Sequence, residues 1–227
     1  MLNKDNVMKG FKCLLVSFFC LVAVSGAQGE MITVVDAKGS SSYNLDATFA
    51  PWYLVDGSGL DESDPDAVTH GLATSSNKNS WLSAPNDTEW LLIFDLGAIY
   101  DLASLQIWNF NFSNQVGSGA KDVDISTSIV DENSGWVAPI RFEFEQASGE
   151  SNYEGFTLDV SKLSPARYVQ FDIKSNHGTQ FGGPNGYNLV GLSEVRFFST
   201  PVPEPSSLLL LGAGLAGIGL VSRRRRS

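Results

Sequence analysis

The residues with chemical potential fall into three groups. Asp56, Asp61, Glu62, Asp64 and Asp66 crowd a stretch broken by Gly57, Gly59 and Pro65. Calcium takes about six to eight oxygens, from carboxylates and from the backbone carbonyls that such a loop exposes. The stretch reads either as a calcium loop or as a solvated acidic loop, and it lacks the register of an EF-hand. The second group is aromatic and amide-rich: Asn111-Phe112-Ser113-Asn114, and His177 through Tyr187 with Phe181 and Asn185 between. Sugars stack their C–H faces on aromatic rings and exchange hydrogen bonds with Asn and His, so Phe112, Asn114, His177, Phe181, Asn185 and Tyr187 are candidate carbohydrate contacts. Each aromatic also has the plainer reading of loop packing. The third group closes the chain: Pro203-Glu204-Pro205, an apolar run Leu208–Val221, and Arg223–Arg226.

Other chemistries find little support. Zinc wants clustered Cys or His, yet His70 and His177 lie far apart and no helix pairs them. No Gly-x-Ser-x-Gly elbow is present, and neither histidine has a recognisable nucleophile. Paired carboxylates could serve a glycosidase, but so acidic a chain offers pairs by chance. The chain reads as a non-enzyme. Asn86-Asp87-Thr88 and Asn111-Phe112-Ser113 match the glycosylation sequon, a short pattern that reads here as coincidence.

The two ends read as signals. Lys4, Lys9 and Lys12 precede the apolar run Cys13–Val24, and Ser25-Gly-Ala-Gln-Gly follows. That is the layout of a secretory signal peptide over 1–29, with cleavage expected after Ala27 or, second, Gly29. Both cysteines, Cys13 and Cys20, sit inside it, so the mature protein is expected to have no disulfide. At the other end, a 14-residue run spans about 21 Å as a helix, short of a hydrocarbon core of roughly 30 Å. Gly212, Gly214, Gly217 and Gly219 weaken it further. A removable signal fits better than an ordinary short anchor, and the arginines should stay cytoplasmic.

Between the signals the chain is strongly acidic. The whole sequence carries 15 basic and 25 acidic residues, and Met31–Ser199 alone has 8 and 22, a net charge of −14. Such a surface repels nucleic acid and anionic lipid, and remains compatible with neutral sugars and divalent cations.

The stretch reads as short strands divided by Gly, Pro, Asn, Asp and Ser clusters, which predicts an all-β sandwich or barrel. Predicted strands are Ile32–Val35, Trp90–Leu96, Leu105–Trp108, Val123–Thr127, Arg141–Glu145, Gly155–Val160, Arg167–Ile173 and Leu189–Phe198. Val123, Ile125 and Thr127 should share one face, Phe142 and Phe144 should point inward, and so should Val195 and Phe197. Trp90–Leu96 is nearly continuously apolar, as for a strand covered on both faces. Residues 200–207 form a Pro/Ser linker, and 208–227 the hydrophobic segment with its arginine cluster.

The C-terminal pattern resembles the PEP-CTERM sorting tails of Gram-negative bacteria, in order and in spacing. That resemblance implies export, passage through the inner membrane, and an exosortase-type protease as partner. The region 31–199 is similar to the discoidin, or coagulation-factor type C, domains of the galactose-binding-like superfamily. The similarity rests on Leu54-Val-Asp-Gly57, Trp90–Gly97, Gly119–Ser128, Asp131–Trp136, Pro165–Phe171 and Gly191–Phe197. It implies a jelly-roll β-sandwich with ligand loops at one end. It also implies a structural Ca²⁺ held by the Asp of Asp-Gly and a Glu of the last strand, which fall on Asp56 and Glu194; Asp61 joins them by proximity. It further implies that Trp81, Trp90, Trp108 and Trp136 are structural. Two departures stand out: an acidic insertion after Gly57, and Ser118-Gly119 where the family has Arg-Gly. The resulting expectation is a non-catalytic, lectin-like protein of the cell envelope or exopolysaccharide matrix. The alternative is a structural or adhesive surface protein that makes matrix contacts without a glycan pocket.

Overall fold

The structure is a computed structural model, and it describes residues 29–43, 49–60, 69–74, 78–178 and 188–200. Both predicted signals, Phe181, Asn185 and Tyr187, Asp61, and Pro203-Glu204-Pro205 lie outside these residues.

Ten strands form two antiparallel sheets. They are β1 (Met31–Ile32), β2 (Asp36–Gly39), β3 (Trp81–Leu82), β4 (Trp90–Tyr100), β5 (Leu102–Asn109), β6 (Asp122–Ser128), β7 (Ile140–Glu143), β8 (Phe156–Asp159), β9 (Ala166–Ile173) and β10 (Gly191–Ser199). One sheet runs β1-β10-β5-β8 with β3 also on β10, and the other runs β2-β4-β9-β6-β7. This is the predicted jelly-roll sandwich. Its inner faces meet through aromatic rings: Phe94 packs on Phe197 of the other sheet at 5.2 Å and Phe144 on Phe156 at 5.5 Å, while Phe171 packs beside Phe94 and Phe144 at 5.2 and 5.8 Å within its own sheet. Rings at those separations add about 0.5–1.5 kcal/mol per pair beyond the area they bury.

The two-residue period places the side chains. Val123, Ile125 and Thr127 are all buried, as are Val195, Phe197 and Phe144. Phe142 is only half-buried, because β7 lies at the sheet edge. β4 is not covered equally on both faces. Trp90, Leu92, Phe94 and Leu96 point into the core, while Leu91, Ile93 and Asp95 are half-buried on the outer face. The predicted first strand, Ile32–Val35, is strand only at Ile32: β1 on β10 ends there, the chain crosses between the sheets, and β2 on β4 begins at Asp36. Trp81, Trp90 and Trp108 are buried, whereas Trp136 is half-exposed in the β6–β7 loop.

The antiparallel ladders define two poles. Trp90, Asn109, Asp122, Ile173 and Gly191 lie at one, and Tyr100, Leu102, Ala166 and Ser199 at the other. Nine residues of β10 separate the poles by about 30 Å at 3.3 Å per residue. The described chain starts and ends at the second pole, where Ser199 N–H donates to Glu30 O at 2.9 Å and Thr200 N–H to Asp101 O at 2.7 Å.

Candidate functional site

Two features of the scaffold have chemical capacity, and they lie on different sheets. The first is a cavity of about 600 Å³ lined by Asp87, Thr88, Glu89, Trp90, Leu91, Gln170, Asp172, Ile173, Lys174 and Asn188. Adjacent strands build it. Leu91 pairs with Asp172 across β4 and β9, so Leu91, Gln170 and Asp172 line it from the outer sheet face. The β3–β4 turn supplies its rim, with Asn86 in the left-handed region at φ 61°. Asp87 braces that turn by accepting from the Ser41 hydroxyl and from Glu89 N–H. Lys174 Nζ lies 2.5 Å from Asp172, so the cavity's one cation is already paired. Trp90 is 8% exposed, and its indole N–H is buried without a hydrogen-bond partner. An unsatisfied buried donor costs about 1–3 kcal/mol, and this one lies on the core side of β4.

The second feature is a buried polar cluster on the outer face of the other sheet. Glu194 alternates outward on β10, yet it is 1% exposed, with the described segment around Gly57 lying against it. Its Oε1 accepts from Gly57 N–H at 3.0 Å, while Oε2 is buried with no partner. Burial first, and then the nearby negative charge of Asp56, raise its carboxyl pKa well above the ordinary value; Gly57 N–H and Arg196 oppose them. Asn79 Oδ1 and Ser80 Oγ, from the strand entry beside it, are also buried and unpartnered. His70 ties the cluster together: Nδ1 lies 2.7 Å from Gly71 O and Nε2 3.1 Å from Ser58 O. Burial lowers its pKa, against the pull of those carbonyls. Gly59 has φ +88°, and a Cβ there would meet the His70 ring at 2.5 Å, so only glycine fits.

The cluster's donor set can be tested against calcium. Carboxylate, amide, hydroxyl and carbonyl oxygens are the hard-cation set, and three buried oxygens here lack any partner. Among the described residues no three His, Cys, Asp or Glu side chains gather as a metal group, so the arrangement has none of the clustered nitrogen or sulfur ligands of a zinc site. Asp56 lies near enough to Glu194 for its negative charge to act on that carboxyl. Asn79, between Lys78 and Ser80, carries no metal signal in sequence.

Of the sequence-derived sugar contacts, Phe112, Asn114 and His177 are among the described residues, and they lie on loops near the first pole. Phe112 is half-buried and stacks on Phe110 at 5.8 Å and 17°, joining the small apolar cluster of Phe49, Leu82 and Leu189. Asn114 is exposed with φ 64°. His177 is half-buried, with Nε2 3.1 Å from Phe144 O and its own N–H on Gly119 O. None of these three lines the cavity. Asn111 is fully buried and its side chain bonds Gly71 O, Glu150 O and Gly149 N–H, so that sequon is closed off by packing. Trp52, which sequence reasoning passed over, is 48% exposed beside Tyr53.

With this geometry in hand, comparison with known proteins is informative about fold and sorting. Residues 201–226 match the family described as PEP-CTERM protein-sorting motif, and residues 74–185 match Sad1 / UNC-like C-terminal. The C-terminal match is to a sorting motif, which indicates an exported, sorted protein, and the region 74–185, just under half of the chain, is similar to a Sad1/UNC-like domain. No curated protein matches. Among solved structures, a fragment of a candidate chitobiase from Bacteroides thetaiotaomicron is 20% identical with TM-score 0.52, over 79% of this chain and 98% of that one. The lectin domain of lectinolysin, complexed with Lewis B antigen, is 17% identical with TM-score 0.48, over 73% and 92%. A fucose binding module from Streptococcus pneumoniae is 19% identical with TM-score 0.47, over 75% and 98%. At these identities the likeness is one of fold. No helix among the described residues is long and apolar enough to cross a membrane.

Proposed function

We propose that this protein is an exported, non-catalytic carbohydrate-binding protein whose ligand site is the cavity beside Trp90. The observation that carries this reading is the cavity itself. It combines carboxylate, amide and hydroxyl groups on a rigid sheet face. That inventory matches a polyhydroxylated ligand, whose hydroxyls donate to the carboxylates and accept from the side-chain amides of Gln170 and Asn188.

Polarity along the chain supports presentation. The described chain leaves at Thr200, at the pole opposite Trp90. Under the layout 1–29 signal peptide, 31–199 sandwich, 200–207 linker and 208–227 sorting segment, the cavity would face away from the membrane. The tail would hold the protein at the inner membrane until an exosortase-type protease acts on Pro203-Glu204-Pro205, and the cell surface or exopolysaccharide matrix would then receive it. Asp56, Glu194 and Asn79, with Asp61 as a further oxygen donor, would hold a structural Ca²⁺. That ion would neutralise Glu194 and bind the covering excursion to β10. Phe112, Asn114, His177, Phe181, Asn185 and Tyr187 would form the rest of the glycan-facing pole.

A glycan array and affinity electrophoresis on the purified full chain, with and without chelator, test the reading. Binding to a neutral glycan that falls on Gln170→Ala or Asn188→Ala supports it. Failure to bind any neutral, basic or acidic glycan refutes it and promotes the structural, adhesive alternative.

A further inference from the structure

We infer that the second pole of the sandwich is a lipid-contact surface. Its exposed apolar rim, Met31, Val35, Ile99, Ile129 and Val130, seats on the interface of a zwitterionic bilayer, beside the point where the chain leaves the domain. The inference rests on the membrane-sorting part of the reading above and is independent of the cavity.

The apolar exposure is concentrated. Among the described residues seven large apolar side chains are exposed, and these five, 49% to 63% open, all stand at this pole. Met31 pairs with Phe198 at the end of β10. Val35 precedes β2, and its N–H donates to Asp95 O at 2.8 Å. Its side chain lies against the irregular end of β4, where a Cβ on Gly97 would meet Val35 Cγ1 at 2.9 Å, and Ile99 follows two residues on. Ile129 and Val130 continue from β6, whose Ser128 pairs with Tyr168, two residues from the Ala166 that pairs with Tyr100. The strand order β2-β4-β9-β6 therefore sets Val35, Ile99 and Ile129 along one edge of about 14 Å, three strand spacings. The loop after β6 is braced in this shape: the Ser128 hydroxyl accepts from Val130 N–H at 3.0 Å and donates to Ser134 O at 2.7 Å. An apolar patch held open by a braced loop marks a contact surface.

The chain's own path names the occupant. Thr200 N–H is fixed on Asp101 O at 2.7 Å, two residues from Ile99, so the sorting tail departs from the rim itself. Residues 201–207 reach at most about 25 Å to the apolar run 208–221. That run, about 21 Å long as a helix, is short of the roughly 30 Å hydrocarbon core. A span so short thins the bilayer or draws the linker inward, and either brings the rim to the headgroup layer. The contact is apolar in kind. Arg167 and Lys38, beside the rim on β9 and β2, are paired with Asp95 at 3.2 Å and Asp36 at 3.5 Å. A domain of net charge −14 gains nothing from anionic headgroups.

The full chain, with its isoleucine methyl groups labelled for NMR, is placed in phosphatidylcholine nanodiscs carrying a nitroxide near the top of some acyl chains. Ile99 and Ile129 should lose about five times more signal than Ile173, roughly 23 Å from Ala166 along β9. Val35→Ser with Val130→Ser should cut that loss about threefold, since two of the five apolar side chains become polar. Both positions are exposed, so the core methyls of Ile107 and Ile125 should keep their wild-type shifts. Replacing part of the lipid with phosphatidylglycerol should not deepen the loss, and high salt should not abolish it. Ile99 and Ile129 signals no weaker than Ile173 overturn the inference, by showing a domain free on its linker. A loss unchanged in the double variant overturns it as well, by assigning proximity to the tail alone. So does a loss that high salt abolishes. A dimer of the full chain in detergent that the double variant returns to monomer would give the rim to a second copy and overturn it. A chain that does not enter nanodiscs at all overturns both the inference and the membrane stage of the reading, and leaves the cavity untouched.

Discussion

Replacing Glu194 with Gln separates its charge from its shape. The amide oxygen can keep the 3.0 Å bond from Gly57 N–H, and the position of the partnerless Oε2 becomes neutral. Without calcium at pH 7.5, the variant should be the more stable protein, by about 1–2 kcal/mol, the difference between orphaning a charged and a neutral buried group. For a domain of this size that is about 2–4 °C of Tm per kcal/mol. The sign follows from linkage. Glu194's folded pKa is raised, so the native state holds its proton more tightly than an unfolded chain with pKa about 4.3. Wild-type stability therefore falls as pH rises from that unfolded value through the folded one, and the variant lacks this loss. With Ca²⁺ at a hundredfold excess over Kd, the wild type gains about 2.7 kcal/mol, and the variant should gain much less. Thermal unfolding in chelator and in calcium, at pH 4 and pH 7.5, measures all four values. A variant less stable than wild type in chelator at pH 7.5, or equal calcium shifts in both proteins, would refute the reasoning.

The remaining predictions concern the scaffold. Phe171→Ala removes a ring that contacts both Phe94 and Phe144, and should cost about 3–5 kcal/mol in chemical denaturation. Gly155→Ala places a Cβ 2.4 Å from the Ile107 carbonyl at φ +69°, and should cost about 2 kcal/mol or more by the same measurement. Asp124→Asn breaks the paired bonds from Arg141, which hold the Asp124 carboxyl below its ordinary pKa. Because the Arg141 side chain is 60% exposed, the loss at pH 7 should be only about 0.5 kcal/mol. A depressed carboxylate stabilises above its unfolded pKa, so the gap between Asp124→Asn and wild type should close as pH falls below about 3, seen in paired urea titrations.

The strands were legible because alternation reports which face is buried: Val123, Ile125 and Thr127, or Val195 and Phe197, need no tertiary knowledge. Errors came where a second layer decides burial. Leu91 and Ile93 look like core residues, but they lie under partial cover on the outer face of β4. Glu194 reads as an outward charge, and only the excursion through Gly57 buries it. The Asp56–Glu194 pair was reachable through family resemblance, since the two are separated by more than half the chain and share no local pattern. The cavity was not legible. Asp87 and Glu89 look like turn residues, Gln170 and Asp172 like solvent-facing strand positions, and Trp90 like core, and only the pairing of β4 with β9 assembles them. Phe112 shows the converse: a ring in a polar loop suggested sugar stacking, while its stack on Phe110 ties it to a satellite core.

The central claim is that a glycan occupies the cavity beside Trp90. Each of the chain's five tryptophans gives one indole N–H signal in a nitrogen-15 correlation spectrum, so titrating a hexosamine oligosaccharide into labelled full chain addresses the claim directly. The account predicts that the Trp90 indole signal moves saturably as a ligand fills the cavity that Trp90 lines, with the buried Trp81 and Trp108 signals unmoved. Binding that shifts the exposed Trp52 signal and leaves Trp90 in place would contradict it.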